Sequence, residues 1–149
     1  MNQDEEENMR RLIFGLVILC WSMAKANLLQ NPGFENGIAN WQMVYGSAQL
    51  TDYSRSGAYA MKLVDGDSAC IQQINIPVSQ NTNYRLWIWA AMRSGGTSYP
   101  SNVRFRIWVN NTLVLEENNS GLGMKWVGRN ASFNSGSASA ISVSFSCFW

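Results

Sequence analysis

The chain has no histidine among its 149 residues, and it contains only three prolines and three cysteines. Without imidazole it has no His-based triad, no HExxH zinc site and no histidine general base. Eleven Lys and Arg residues nearly balance ten Asp and Glu residues, for a net charge of +1. This balance predicts neither nucleic acid nor an anionic membrane as a partner.

Carboxylates suited to catalysis are also scarce. A glycosidase needs two facing carboxyl groups, and the acidic residues after position 26 are Glu35, Asp52, Asp65, Asp67, Glu116 and Glu117. Glu116 and Glu117 are adjacent on a strand and therefore point to opposite sides. Asp65 and Asp67 flank a glycine in a turn, where aspartate is expected for local reasons. The sequence therefore predicts that the chain is not an enzyme.

Residues 1–26 have the pattern of an export signal. Arg10 and Arg11 precede the apolar run Leu12–Met23, and a small-x-small cleavage site ends at Ala26. The run is shorter than the roughly 20 residues that span a bilayer. We expect cleavage after Ala26 and a secreted, extracellular domain over residues 27–149.

Two cysteines, Cys70 and Cys147, lie beyond the predicted signal. An even number of cysteines in an exported chain permits a disulfide, and we predict a Cys70–Cys147 bond. Two separately buried thiols are the alternative, because sequence spacing alone does not fix disulfide geometry.

Alternating apolar residues, broken by Gly, Asn, Ser and Pro, dominate residues 27–149, and no long run has helical periodicity. The predicted strands are Trp41–Tyr45, Ala48–Asp52, Ala58–Val64, Cys70–Ile76, Tyr84–Arg93, Asn102–Val109, Thr112–Glu116, Lys125–Phe133 and Ala140–Phe148. This spacing predicts an all-β fold, a β-sandwich or jelly roll of eight or nine antiparallel strands.

Two of these strands combine one fully apolar face with one face of tryptophan and arginine. The apolar faces carry Tyr84, Leu86, Ile88 and Ala90 in one strand and Val103, Phe105, Ile107 and Val109 in the other. The opposite faces carry Arg85, Trp87 and Trp89, and Arg104, Arg106 and Trp108. Because arginine is rarely buried without a partner, we expect the apolar faces in the core and the Trp/Arg faces in water.

Exposed indoles flanked by arginine suit a sugar, since a pyranose packs its C–H groups on an aromatic ring and offers hydroxyls to polar side chains. The two strands are consecutive, so we predict that they are neighbours and form one ligand-binding platform. Its residues are Arg85, Trp87, Trp89, Arg104, Arg106 and Trp108, with Gln72 or Gln73 from a third strand. Two alternatives stay open: the tryptophans lie under a loop, or the site lies around Tyr45 and Tyr99.

The segment from Asn27 to Gly37, NLLQNPGFENG, followed by Trp41, resembles the opening of carbohydrate-binding modules of the family 4/9/22 type. Weaker matches follow in order at Arg55–Leu63, Ile71–Ile76, Tyr84–Ala90 and Lys125-Trp126. The resemblance implies a galactose-binding-like β-jelly roll that binds polysaccharide. It also implies a structural calcium, for which Glu35 is the side-chain ligand that carries over.

The chain departs from this family at its C-terminus. The family normally ends in a further strand with an Asp-Asp-Val-type segment, whereas this sequence stops at Trp149. The departure removes one acidic calcium ligand and predicts an open apolar sheet edge. Three alternatives stay open: a partner chain or self-association covers this edge, the sequence is a truncated module, or a local rearrangement fills the gap. The second candidate function is therefore an extracellular structural or adhesion domain. A flat apolar patch near Phe148 and Trp149 would favour this function over sugar binding.

Overall fold

The computed structural model describes residues 27–64, 68–91, 104–118 and 125–148. These ranges hold the strands β1 (Gln42–Tyr45), β2 (Ser47–Thr51), β3 (Ala60–Val64), β4 (Ser68–Pro77), β5 (Asn83–Ala90), β6 (Arg104–Val109), β7 (Thr112–Asn118), β8 (Val127–Asn134) and β9 (Ala140–Phe148). Each corresponds to one predicted strand. The predicted signal at residues 1–26, Tyr99 and Trp149 lie outside the described residues. No helix within the described ranges is long and apolar enough to cross a membrane.

The strands pair only antiparallel and form two layers. One layer is a five-stranded sheet in the order β1-β4-β9-β6-β7. The pairs β2–β3 and β5–β8 contribute side chains to the same hydrophobic core from the other side. The predicted all-β sandwich is therefore confirmed.

The core follows the alternation in the sequence. Ile107 and Val143 are 0% and 2% exposed and lie on neighbouring strands of the five-stranded sheet. Leu86 of β5 packs into the same core from the second layer. Full burial of such a side chain stabilises the fold by about 1.5–3 kcal/mol. Burial on one side of each sheet leaves its other side for polar and aromatic residues.

The N-terminal motif closes one end of this core. The Asn31 side chain donates to the carbonyls of Gly37 and Ala39, at 3.0 Å each, and accepts from the amide of Asn36 at 3.1 Å. These bonds satisfy the backbone groups of a tight loop, a common use of asparagine. The motif is therefore a structural element at the start of the domain.

Trp41 follows this loop and is a core residue. It is 5% exposed, and its ring lies 5.3 Å from the ring of Phe34 and 5.5 Å from that of Phe145. Its indole N–H donates to the Asn31 carbonyl at 3.1 Å. The buried indole thus has both apolar contacts and a hydrogen-bond acceptor.

The C-terminal strand lies at the centre of the five-stranded sheet. β9 pairs with β4 along one side and with β6 along the other. The prediction of an open apolar edge beside this strand is wrong, because both of its hydrogen-bonding sides are occupied. The edge strands of this sheet are β1 and β7.

The predicted Cys70–Cys147 disulfide is absent, and both residues are free thiols. Cys70 pairs with Ser146, and Cys147 pairs with Ala69 on the same two strands. Directly paired residues point to the same face and the next residue points to the opposite face, so this one-residue offset separates the thiols across the sheet. Burial raises the pKa of both thiols above its ordinary value.

Candidate functional site

The predicted platform is divided between the two layers. The expectation that the strands bearing Trp87 and Trp108 are neighbours is wrong, because β5 pairs with β8 whereas β6 lies between β9 and β7. Both strands do bury their apolar faces, and Trp87 and Trp89 are 54% and 37% exposed. Since the core lies between the layers, the two Trp/Arg faces point away from each other.

The non-core face of the five-stranded sheet, here called the Trp108 face, consists of three rows of cross-strand partners. The first is Gln42, Gln72, Ser144, Trp108 and Leu113; the second is Tyr45, Cys70, Ser146, Arg106 and Glu116; the third is Ser68, Phe148, Arg104 and Asn118. Four of the predicted site residues, namely Trp108, Arg104, Arg106 and Gln72, therefore do lie on one face.

Side-chain size varies strongly across the Trp108 face. Two strands, β4 and β9, lie between Tyr45 on β1 and Trp108 on β6, so the backbones of β1 and β6 are about 14 Å apart, or three strand spacings. The intervening strands contribute short side chains, including Cys70, Ser144 and Ser146. Cys70 and Ser146 are only 5% and 2% exposed, and both aromatic side chains reach them: the Tyr45 hydroxyl is hydrogen-bonded to Ser146 and Cys70, and the Trp108 indole approaches Ser146 from the other side.

Contacts with neighbours hold Trp108 in place. Its indole N–H donates to the Ser146 hydroxyl at 3.3 Å. The guanidinium carbon of Arg106 lies 5.8 Å from the Trp108 ring centroid and 4.0 Å from that of Phe148. Arg106 thus makes cation–π contacts with both rings and limits the positions that the indole can take.

Glu116 joins the two arginines of this face. Its carboxylate accepts from the Arg104 guanidinium at 3.0 Å and from the Nε–H of Arg106. The hydrogen bond from Arg106, and then the charges of both arginines, lower the pKa of Glu116. The adjacent Glu117 points to the other side, as predicted, and binds Arg129 at 2.8 Å. The arginines of the Trp108 face are therefore already paired with a carboxylate.

Gln72 and Gln73 have different environments. Gln72 lies on the Trp108 face, in the row of Ser144. Gln73 is 4% exposed; its side chain accepts from the Gln30 amide at 2.9 Å and donates to the carbonyls of Gln30 and Asn40 at 2.9 and 3.2 Å. It borders an open cavity of about 380 Å³, but its polar atoms are paired with backbone. Gln73 therefore belongs to neither Trp/Arg face.

The Trp87 face is the non-core face of the β5–β8 pair, formed by Arg85, Trp87 and Trp89 opposite Ser132, Asn130 and Gly128. The two indoles have centroids 6.4 Å apart and planes at 60°. A Cβ atom on Gly128 would lie 3.3 Å from both rings, so glycine leaves room for them. The Arg55 guanidinium stacks over Trp89, 3.6 Å from the ring centroid.

Glu35, the expected calcium ligand, is bound to backbone. Its carboxylate accepts from the amides of Ala58 and Tyr59 at 3.0 and 3.4 Å. The described residues contain no group of three or more His, Cys, Asp or Glu that could hold a metal. Calcium takes six to eight oxygen ligands, which include backbone carbonyls as well as carboxylates. Calcium binding stays a prediction.

The sequence interpretation missed most of the residues that lie between Tyr45 and Trp108 on this face. Ser144 and Ser146 alternate with Val143 and Phe145, a pattern that predicts one polar face on β9. Tyr45 appeared only as an alternative site. Alternation gave the face of each residue, but only the strand order shows that these residues lie beside Trp108.

Known proteins identify the family of this chain and share its fold. Residues 26–146 match the family model described as "Carbohydrate binding domain". A family 16 carbohydrate-binding module is similar with a TM-score of 0.61 and 23% identity, over 80% of this chain and 87% of that one. A family 61 module solved with beta-1,4-galactotriose has a TM-score of 0.58 and 16% identity, over 83% and 88% of the two chains. No curated protein matches.

Proposed function

The chain belongs to the carbohydrate-binding domain family, and from this premise we propose that it is a secreted, non-catalytic protein that binds polysaccharide on the Trp108 face. The observation that carries the proposal is that the exposed Tyr45 and the partly exposed Trp108, Gln72 and Ser144 share one face of the five-stranded sheet. Indoles and phenols pack on the C–H faces of sugars, and serine and glutamine bind hydroxyls.

The charge of this face favours an uncharged chain of sugars. Glu116 pairs with Arg104 and Arg106, so the arginines can still donate through their remaining N–H groups but carry a compensated charge. The family 61 module, which has a similar fold, was solved with an uncharged galactose trisaccharide. A neutral polysaccharide is the ligand class that fits both observations.

The absence of catalysis is supported by the way the carboxylates are used. The sequence has no histidine. Of the four described acids, Glu116 and Glu117 pair with arginines, Glu35 accepts backbone amides, and the exposed Asp52 has no second free carboxylate beside it among the described residues. A glycosidase requires one free acid and one free base facing the same bond. Binding without bond cleavage is therefore the function that these side chains fit.

Secretion rests on the pattern of residues 1–26, and the intact mass of exported protein tests it. Export with cleavage predicts a mass that begins at Asn27, whereas a mass that retains residues 1–26 contradicts the proposal. Of the features that motivated the adhesion alternative, the open edge at the C-terminal strand is missing, since this strand is paired on both sides.

The binding site is tested by affinity electrophoresis on soluble glucans, xylans and mannans. Trp108→Ala should weaken binding by about 1–3 kcal/mol, a typical loss at a binding hot spot. Gln72→Ala alters the same face at a less packed position, so it tests the site even if Trp108→Ala unfolds. Trp87→Ala is the matched control on the other layer. Retention of wild-type binding by folded Trp108→Ala and Gln72→Ala would move the site elsewhere.

A further inference from the structure

The arginines of the Trp87 face differ from those of the Trp108 face in their partners. Within the part of the chain that the structure describes, the carboxylates that form ion pairs bind Arg104, Arg106 and Arg129. Neither Arg55 nor Arg85 is in an ion pair with a described carboxylate. The Trp87 face therefore keeps positive charge that the Trp108 face has compensated.

These two cations bracket the indoles. Arg85, Trp87 and Trp89 alternate along β5 on one face, which places Arg85 about 13 Å from Trp89 along the strand. Arg55 lies over Trp89 at the far end of this row. The partners on β8 are Ser132, Asn130 and Gly128, so this face has no acid from either strand.

The surface beside Arg85 is also open and polar. A groove of about 410 Å³ there is lined by Asn83, Tyr84, Arg85, Ser132, Phe133 and Asn134. Amides and hydroxyls at its wall can bind sugar hydroxyls, and the exposed ring of Trp87 offers a surface for a pyranose. The row thus combines an aromatic surface, hydroxyl-binding groups and a cation at each end.

We propose that the Trp87 face is a second glycan-binding site, independent of the Trp108 face, for a chain that carries carboxylate groups. The guanidinium group matches a carboxylate with two parallel hydrogen bonds, and a guanidinium stacked on an indole keeps its edge available for them. The proposal rests on the proposed function, since it assumes a glycan-binding protein. Because the faces point apart, one molecule holds a neutral and an acidic chain at once.

The test uses polygalacturonate and its highly methyl-esterified form, which share a backbone and differ in charge. Binding of each polymer is measured at low and high salt with the wild-type protein and four variants. Arg85→Gln and Trp87→Ala alter the proposed site. Arg104→Gln and Trp108→Ala are the matched controls, because they change an exposed arginine and a tryptophan on the other face.

We expect the acidic polymer to bind at least tenfold more tightly than the ester, and added salt to reduce this difference. Arg85→Gln and Trp87→Ala should each weaken acidic binding about tenfold, while Trp108→Ala retains it. A neutral polysaccharide that binds the Trp108 face should not compete. Arg85→Gln keeps the test informative if Trp87→Ala unfolds.

Equal binding of both polymers, no binding of the acidic polymer, or an equal loss with Arg104→Gln would overturn the proposal. Loss of acidic binding in folded Trp108→Ala would also overturn it, by placing the acidic chain on the other face. The proposed function is scored separately, by the binding of neutral polysaccharides to the Trp108 face.

Discussion

The Trp108 face and the Trp87 face have the same alternation of tryptophan and arginine but different surroundings. Trp108 lies inside a five-stranded sheet, donates to Ser146 and has Arg106 beside it. Trp87 lies on a two-stranded pair and is 54% exposed. The same local pattern therefore produces a supported indole in one layer and an exposed platform in the other.

The neighbouring strand accounts for the electrostatic difference. β7 places Glu116 opposite Arg106, whereas β8 places Ser132 opposite Arg85. An arginine with a cross-strand carboxylate is compensated, and an arginine opposite serine keeps its charge for a ligand. The ligand class of a strand that carries tryptophan and arginine can therefore be inferred only when the residues of its partner strand are known.

Replacing Trp41 should have the largest effect on stability, because this indole lies in the core whereas the tryptophans of the two faces lie at the surface. Trp41→Ala should lower the free energy of unfolding by about 3–5 kcal/mol, as expected for a buried aromatic ring. Trp87→Ala should change it by about 0.5 kcal/mol or less, since this ring is more than half exposed. Urea unfolding of both variants measures the difference. Comparable losses would mean that Trp87 also supports the core.

The sequence predicted the strands and their faces because these depend on local alternation. Leu86 is buried and Trp87 exposed, as their positions on β5 predict. Strand order depends on contacts between distant segments, and consecutive strands are neighbours only in part of known folds. Hence the separation of β5 from β6, and the central position of β9, were not available from the sequence.

The dependence of strand pairing on distant contacts also explains why the disulfide prediction was wrong and why Gln72 and Gln73 lie in different environments. Spacing along the chain permits a Cys70–Cys147 bond, but the β4–β9 register places the thiols on opposite faces. Gln73 is next to Gln72, and the same alternation turns it toward backbone partners at the core. A shift of one residue in the register moves every side chain of a strand to the opposite face. The face of each residue could therefore be established only from the observed strand pairing.

Glu35 should affect the Trp87 face more than the Trp108 face. Its carboxylate binds the amides of Ala58 and Tyr59, a few residues after Arg55, which stacks on Trp89. Glu35→Ala should cost about 1.5–3 kcal/mol of unfolding free energy, the range for hydrogen bonds to a charged group. It should also weaken polygalacturonate binding while neutral polysaccharide binding is unchanged. Urea unfolding and affinity electrophoresis measure the two effects.

Calcium provides the control for this prediction. If Glu35 acts through backbone amides alone, the loss in Glu35→Ala is the same in chelator and in millimolar calcium. A calcium-dependent rise in the melting temperature of the wild type, absent from the variant, would instead establish Glu35 as a metal ligand, because a ligand that binds only the folded state stabilises it.

The thiols should act independently, one on each side of the sheet. Cys70→Ala and Cys147→Ala should each cost about 1 kcal/mol, and the double variant should cost their sum. A disulfide would give about 2–5 kcal/mol for either single change, with no further loss in the double variant. Thiol counting on unfolded, unreduced protein without residues 1–26 should find two thiols. A count of zero would contradict the register of β4 and β9.

Low pH should weaken the ion pairs of the Trp108 face and leave the Trp87 face unchanged. We expect this loss of stability to be smaller than those of the preceding predictions. The pKa of Glu116 is lowered from 4.5, chiefly by its hydrogen bond with Arg106. A lowered pKa means that the stabilisation is fully present above the ordinary carboxyl pKa and is lost as pH falls through the folded-state value. Exposure and salt keep the contribution small.

The measurement is the urea midpoint of the wild type and of Glu116→Gln at pH 7 and at pH 3. The wild type should be the more stable protein at pH 7, and the gap should narrow at pH 3, because a protonated Glu116 resembles glutamine in charge. Arg85→Gln is the control on the Trp87 face, where the described strands offer no carboxylate to titrate. A gap that is unchanged between the two pH values would show that the charge of Glu116 does not stabilise the Trp108 face. In that case, the pairing of Glu116 with the arginines would not contribute to stability, although it distinguishes the two faces in structure.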